Sequence, residues 1–209
     1  MGNFVLSDPI RGTGARVSDT QRLASESLIQ TEQDEAAVKG WKFNINTGDI
    51  TLTNATKTSV LYLKNIGDYD IVINNLIYNL GNTTSGTGDI LIQVLRNPAA
   101  GDIITNANVV ETGPTVAANE NFASTNLLEV NAYKGATGET ALSGSDGIVL
   151  STRSKDPSGR IFLGSLDLVL PKGTALGIDY TPPASNTSQT CQFIAAVHVR
   201  NPDFVDINI

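Results

Sequence analysis

The sequence has few of the residues from which catalytic and metal sites are usually built. Its 209 residues include one cysteine and one histidine. A single cysteine excludes an intrachain disulfide and a cysteine-built metal site, and a single histidine excludes a histidine cluster. A serine–histidine–aspartate triad would need His198, and the sequence has no Gly-x-Ser-x-Gly elbow to supply its nucleophile. We therefore expect no enzyme, no catalytic residue, no cofactor and no bound metal.

Positive charge and long apolar runs are scarce as well. The formal net charge is -7 and the pI is about 4.6. A surface of this sign repels phosphate backbones. No apolar stretch approaches the roughly 20 residues needed to span a bilayer. The sequence therefore predicts no nucleic-acid partner and no membrane partner.

Two kinds of stretch resemble ligand sites, and each has a simpler structural interpretation. The segment "YKGATGET" (133–140) resembles a phosphate-binding loop, but Glu139 stands where the phosphate-binding lysine should be and no helix follows. We predict an inter-strand loop that depends on glycine. Asp68, Asp70 and Asp146 lie in turn sequences that offer oxygen ligands for calcium, without the spacing of an EF-hand. Aspartate is also an ordinary turn residue, and we expect no metal there.

From Trp41 onward the dominant pattern is that of β-strands. In "WKFNIN" the apolar residues Trp41, Phe43 and Ile45 alternate with polar ones, and further short β-branched segments follow as far as "CQFIAAVHVR". No helix-length segment separates them, which excludes a parallel βαβ architecture. Long connections favour a jelly roll, and Pro171-Lys172-Gly173 is predicted to join two strands into a hairpin. The predicted fold class is all-β: an antiparallel β-sandwich, jelly-roll-like, with an extended N-terminal arm containing one short helix.

The composition and the hydropathy pattern of the sequence predict three regions. Residues 1–40 are polar, lack strand alternation and are expected to form an N-terminal arm with one short helix in "SLIQTEQDEAAVKG" (27–40), which ends at Lys39-Gly40. Residues 41–200 form the sandwich body. Residues 201–209 form a C-terminal tail, "NPDFVDINI", whose extended pattern suits addition to the sheet edge of a neighbour. For both the arm and the tail, docking on their own body is an equal alternative.

The last strand contains the single cysteine and the single histidine. Alternation places Cys191 on an apolar face, where a thiol is usually inert packing. The same alternation places His198 beside Arg200 on the more polar face. We therefore expect His198 to lie at the surface or in an interface.

Three segments resemble proteins of tailed-bacteriophage virions. They are "FNINTGDITLTNATKTSVLYLKN", "LRNPAAGDIITNANVVETGPTVAANENFASTNLLEVNAYKGATGET" and "LPKGTALGIDYTPPASNTSQTCQFIAAVHV". The pattern of strand, Asn-Pro turn, glycine-containing loop, closing hairpin and last strand is similar to that of head decoration, or cement, proteins, which coat a capsid shell. This resemblance implies a jelly-roll-like body, a homo-oligomer that is often a trimer, and binding to the major capsid protein on the outer surface of the virion. It implies synthesis in the host cytoplasm, and no catalytic residues.

Two other functions stay open on the sequence alone. A head-fibre or tail-associated adhesion protein would bind host glycans through the sandwich loops, although an aromatic content of 6% is low for sugar stacking. A glycan hydrolase would need a pair of carboxylates, and nothing in the sequence singles out such a pair.

Overall fold

The chain divides into two compact units, Met1–Thr31 and Glu32–Ile209. The computed structural model describes residues 5–7, 14–17, 23–24, 31–81, 89–98, 117–135, 141–155, 159–163, 166–184 and 188–200. The first unit contains a small antiparallel sheet of order β1-β2-β3, formed by Val5–Ser7, Gly14–Val17 and Leu23–Ala24. These strands were not expected, because two to four residues are too few to show alternation in a sequence.

The predicted short helix is present as α1, Glu32–Lys39, and it belongs to the second unit. Residues 27–30 of the predicted span lie outside the described residues. Acidic residues fill the first turn and Lys39 occupies the last, as the helix dipole favours. The helix ends in a Schellman motif, in which Gly40 N–H donates to Ala37 O at 3.2 Å and Trp41 N–H donates to Ala36 O at 2.7 Å. Gly40 has a φ of +73°, which explains the glycine at this position.

The second unit contains two antiparallel sheets. The strands are β4 (Lys42–Asn46), β5 (Ile50–Thr53), β6 (Thr58–Asn65), β7 (Asp70–Leu80), β8 (Asp89–Arg96), β9 (Ala117–Asn119), β10 (Val130–Lys134), β11 (Gly147–Lys155), β12 (Gly159–Leu163), β13 (Leu168–Leu170), β14 (Ala175–Thr181) and β15 (Ser188–Arg200). One sheet has the order β10-β6-β14-β8-β11. The other has the order β12-β7-β15-β4-β9, with β13 also paired to β7 and β5 to β15. The predicted antiparallel, jelly-roll-like β-sandwich is confirmed.

One hydrophobic core lies between the two sheets. The alternation predicted for "WKFNIN" is confirmed, because Phe43 and Ile45 are fully buried while the polar residues between them are not. Tyr180 of β14 meets Phe193 of β15 edge-on with ring centroids 5.9 Å apart, and this contact joins the two sheets. The same cluster contains Cys191, as the alternation of β15 predicts.

The hairpin predicted at Pro171-Lys172-Gly173 is wrong. The turn itself exists, since Thr174 N–H donates to Pro171 O at 3.0 Å and Gly173 has a φ of +80°. However, β13 pairs with β7 in one sheet, whereas β14 pairs with β6 and β8 in the other. The turn therefore passes the chain between the sheets. Sheet membership depends on pairing with distant strands, which a local turn sequence does not encode.

Candidate interaction surface

The segment between β9 and β10 is held against the end of helix α1 by asparagine side chains. Asn121 Nδ2 donates to Val38 O at 2.8 Å, Asn126 Nδ2 donates to Lys39 O at 3.1 Å, and Asn119 Nδ2 donates to Gly40 O at 2.9 Å. These bonds satisfy carbonyl groups that the end of a helix leaves without partners. The amides thereby fix the position of the whole segment that follows.

Large apolar side chains project from this fixed segment and its neighbours into solvent. Phe122 is 99% exposed, Leu127 is 81% exposed and Val38 is 70% exposed. Ile66 and Tyr69, in the β6–β7 turn, are also exposed, and Ile66 N–H donates to Glu129 O at 3.2 Å. We call these residues the apolar end surface: Val38, Ile66, Tyr69, Phe122 and Leu127. A single exposed apolar residue is ordinary, but several at one end of a fold mark an interaction site.

A groove of about 560 Å³ opens within the same end of the sandwich. We call it the end groove; its apolar lining is Trp41, Tyr69, Ile71, Leu127, Leu128 and Val199. Its volume lies within the range of about 300–1,000 Å³ that ligand clefts occupy. Trp41 is the single tryptophan of the chain.

The polar residues of the end groove mostly serve the fold. Asn65, fully buried, donates from Nδ2 to Tyr69 O at 2.8 Å and to Leu170 O at 2.7 Å, and its Oδ1 accepts from Gly67 N–H at 3.0 Å. This one side chain ties the β6–β7 turn to β13. Because Asn65 and Asn126 are already bonded to backbone carbonyls, the groove presents an apolar wall to an incoming ligand.

His198 is buried, which contradicts the expectation of a surface or interface residue. Its side chain is 3% exposed, because helix α1 covers the polar face of β15. His198 Nδ1 lies 2.9 Å from Asn74 Oδ1, and Nε2 lies 3.5 Å from Glu32 Oε1. Burial lowers the pKa of His198, against an opposing effect of the Glu32 charge.

Glu32 links the helix to the end of β15. Its Oε1 accepts from Arg200 Nε at 2.9 Å and its Oε2 from Arg200 Nη2 at 3.3 Å. Partial desolvation acts to raise the pKa of Glu32, but the hydrogen bonds and positive charge of Arg200, with a contribution from His198, outweigh it and lower the pKa. The carboxylate is therefore held in its charged form.

The three aspartates considered as calcium ligands are not brought together. Asp68 pairs with Lys172 at 2.5 Å, and Asp70 begins β7. Asp146 accepts from Asn97 Nδ2 at 3.0 Å, beside β8 and β11 of the opposite sheet. Within the described residues there is no group of three or more His, Cys, Asp or Glu residues that could hold a metal ion.

The glycine-containing segment 133–140 starts at the opposite end of the sandwich from the end groove. β10 is antiparallel to β6, and Gly135 N–H donates to Val60 O at 3.0 Å. A Cβ on Gly135 would lie 1.7 Å from Ser59 O, so close packing against β6 requires this glycine. Residues 136–140, including Glu139, lie outside the described residues.

A second, smaller apolar surface lies where β13 approaches β8 and β11, and helix α1 does not contribute to it. Ile148, Val149 and Val169 are partly exposed, and Val149 and Val169 line a groove of about 310 Å³ where β13 approaches β8 and β11. It offers a comparison surface of similar chemistry.

Sequence reasoning did not single out Phe122 and Leu127. They lie in "NENFASTNLL", where apolar residues occur among asparagine and serine without strand or helix periodicity. Large apolar residues in a polar, turn-forming segment do not belong to a strand or helix face that packs on the core. Their presence in such a segment is the sequence feature that could have predicted an exposed apolar surface.

Comparison with known proteins identifies no family for this chain. No family model matches it, and no curated protein matches it. Among solved structures, the empty capsid of Triatoma virus shares 11% identity over 96% of this chain and 90% of that one, with a TM-score of 0.20. The T13 viral particle of IBDV shares 8% identity over 92% of this chain and 47% of that one, with a TM-score of 0.18. An aminopeptidase from a Thaumarchaeota archaeon shares 10% identity over 95% and 32% of the two chains, with a TM-score of 0.17.

Similarities of this size carry no argument about function, and capsids and a peptidase occur among them alike. Across the described residues, no helix is long and apolar enough to cross a membrane.

Proposed function

We propose that the chain is a non-enzymatic structural protein of a phage virion, a decoration or cement protein that binds the major capsid protein on the outside of the head. In this proposal the protein is made in the host cytoplasm and acts as a homo-oligomer, a trimer by the resemblance noted above. It binds the assembled lattice in preference to free subunits and so stabilises the shell by mass action.

The observation that carries the proposal is the apolar end surface. Phe122 and Val38 are large apolar side chains exposed by 99% and 70%, and hydrogen bonds from Asn121 and Asn126 hold their backbone in place. A rigid, exposed aromatic anchor loses little conformational freedom on binding, which is typical of residues that dominate protein interfaces. A protein surface is the partner that buries such side chains.

Co-sedimentation with bare capsids of the parent phage tests the proposal. The wild-type chain is expected to pellet with capsids at micromolar concentration. A variant with Val38→Thr and Phe122→Ser is expected to lose at least tenfold in affinity, because it removes two exposed apolar contacts without touching the core. The matched control, Val149→Thr with Ile148→Ser, alters the second apolar surface and should bind like wild type. No pelleting of the wild-type chain would reject a cement function.

A second candidate is an adhesion protein that binds host glycans, and the end groove is the observation in its favour. Trp41 and Tyr69 are the kinds of rings on which sugars stack, and Glu129 adds a carboxylate. The amides of Asn65 and Asn126 are already used by backbone carbonyls, which leaves few partners for sugar hydroxyls. We therefore favour a protein partner. A glycan array that gives a saturable signal, lost on Trp41→Ala, would reverse this preference.

A further inference from the structure

We propose that residues 201–209 of one copy occupy the end groove of a second copy, so that this groove is a site of self-association. The proposal deepens the homo-oligomer part of the proposed function, and it does not depend on which surface binds the capsid. In this arrangement the end groove of each copy is completed by a segment from a neighbouring copy.

The chemistry of the groove fits an extended apolar segment. Its apolar lining is that given above, from Trp41 to Val199, and Glu129 adds one carboxylate beside it. Leu128 and Glu129 lead directly into β10, which is the edge strand of its sheet among the described residues. An edge strand beside an apolar groove is the arrangement that accepts an added extended segment, which gains backbone bonds and side-chain burial together.

The described chain reaches its last residue at this groove. Val199 lines the groove, and its N–H donates to Trp41 O at 2.9 Å. Arg200, the next residue, is still paired with Asp70 in the sheet and is bonded to Glu32. The segment that follows therefore starts from a fixed point one residue beyond the groove.

The sequence of that segment has the pattern the groove requires. In "NPDFVDINI" the residues Val205, Ile207 and Ile209 alternate with Asp206 and Asn208. An extended conformation places these three apolar residues on one face, toward a groove, whereas Phe204 falls on the other face beside Asp206 and Asn208.

A second copy is favoured over the same chain because of the direction of β15. The strand is held in its sheet as far as Arg200, and Pro202 favours an extended conformation at Asn201. The chain is therefore directed past the end of its own sheet before it can turn back. Each copy offers one groove and one segment, so a head-to-tail contact leaves no groove unfilled when it closes into a ring, and a ring of three would satisfy it.

The single tryptophan makes occupancy of the groove measurable. Three samples are compared by Trp41 emission and by analytical ultracentrifugation: the full chain, the chain without residues 201–209, and that shortened chain with the synthetic peptide NPDFVDINI. The full chain is expected to be an oligomer, and the shortened chain a monomer with red-shifted emission. Added peptide is expected to restore the emission in a saturable way without restoring the oligomer.

Two full-length variants guard against a folding defect in the shortened chain. Ile207→Asp places a charge on the apolar face of the segment and should dissociate the oligomer, with a peptide of the same change failing to shift Trp41 emission. Asn208→Asp adds the same charge on the opposite face and should leave the oligomer intact. Circular dichroism verifies that both remain folded.

Two results would overturn the inference. If the shortened chain keeps both the oligomer and the emission of the full chain, the groove does not receive this segment. If the full chain is a monomer at all concentrations yet its emission shifts on shortening, the segment lies in the groove of its own chain. Co-sedimentation of the Val38→Thr, Phe122→Ser variant with capsids is a separate readout, because neither residue lines the end groove. Failure of the self-association proposal is therefore distinguishable from failure of the capsid-binding proposal.

Discussion

The guanidinium group of Arg200 donates to the carboxylate of Glu32 at 2.9 Å and joins helix α1 to the end of β15. The same carboxylate oxygen lies 3.5 Å from Nε2 of His198. The helix therefore brings one negative charge to a position where two groups of β15 compete for it. This arrangement makes the protonation of the single histidine sensitive to both neighbours.

We expect opposite shifts of the His198 pKa when the two charges are removed one at a time. Burial lowers this pKa, the Glu32 charge raises it and the Arg200 charge lowers it further. Glu32→Gln should therefore lower the pKa of His198, and Arg200→Gln should raise it. Because the chain has one histidine, a single imidazole resonance in an NMR titration reports the value. Shifts of the same sign in both variants would contradict this account of the cluster.

The free energy of unfolding should fall on acidification, beginning near pH 6.5. A histidine whose pKa is lowered in the folded state is protonated more readily when unfolded, so its stabilising contribution is present above the unfolded pKa of about 6.5 and is lost below it. The slope for one proton is at most about 1.4 kcal/mol per pH unit. Glu32, whose pKa is also lowered, adds a loss of the same sign only near pH 4 and below.

Urea unfolding at pH 7.5, 6.5 and 5.5 measures this dependence. His198→Gln should remove most of the slope in that window, because other side chains in the sequence do not ordinarily titrate there. Asp68→Asn serves as the control, since the lowered pKa of that exposed carboxyl acts at lower pH. Stability that rises toward pH 5.5 in the wild type would contradict the prediction.

Asn65 should tolerate aspartate far less well than Asn46 does. Asn65 uses both amide hydrogens as donors to carbonyl oxygens at 2.7 and 2.8 Å, and aspartate would place oxygen against oxygen in a buried site. We expect Asn65→Asp to cost about 3 kcal/mol of unfolding free energy. Asn46 uses its Oδ1 to accept from Gly48 N–H at 2.8 Å, which aspartate preserves.

Asn46→Asp is the matched control, and its effect should stay within about 0.5 kcal/mol. Urea midpoints for the two variants give the comparison directly. Equal midpoints would mean that Asn65 does not hold the β6–β7 turn to β13 in solution.

Local sequence patterns predicted which residues of a strand are buried, but not which strands pair. Alternation in "WKFNIN" and in the last strand gave the buried faces correctly, because a side chain's face in a strand depends on its neighbours in sequence. The same alternation misplaced His198, since the helix that covers it begins at Glu32, 166 residues earlier in the chain. The turn after Pro171 was predicted but its topology was not, because pairing with β6 or β7 is decided across the fold.

The candidate interaction surface was even less accessible to sequence reasoning. Phe122 and Val38 are 84 residues apart in sequence, and an asparagine bond to the helix end brings their segments together. Such a surface is visible only after the long connections are placed. The choice of a binding protein over an enzyme, by contrast, rested on composition, on missing catalytic motifs and on a resemblance, and it stays a prediction.

Gly135 should not accept alanine, whereas Gly173 should do so at moderate cost. A Cβ on Gly135 would meet the backbone oxygen of Ser59, which cannot rotate away as a side chain can. We expect Gly135→Ala to cost about 3 kcal/mol or more. Gly173 has open space around it and a φ of +80°, so alanine there costs only the strain of the left-handed region, about 1–2 kcal/mol. Urea unfolding that ranks Gly173→Ala as the more damaging change would contradict the packing of β10 on β6.

Cys191 provides a chemical probe of global unfolding. It is 1% exposed and is paired with Ile50 of β5 on one side and Leu80 of β7 on the other. Burial raises the pKa of its thiol to about 12. Because the thiolate is the reactive form, the folded protein should not react with Ellman's reagent at pH 8, and one thiol per chain should react in urea. Leu63→Ala, which opens the same core, should speed the reaction of the native protein by raising the population of open states. Rapid reaction of the wild-type protein without denaturant would show that β15 opens locally, and would contradict its placement at the centre of the larger sheet.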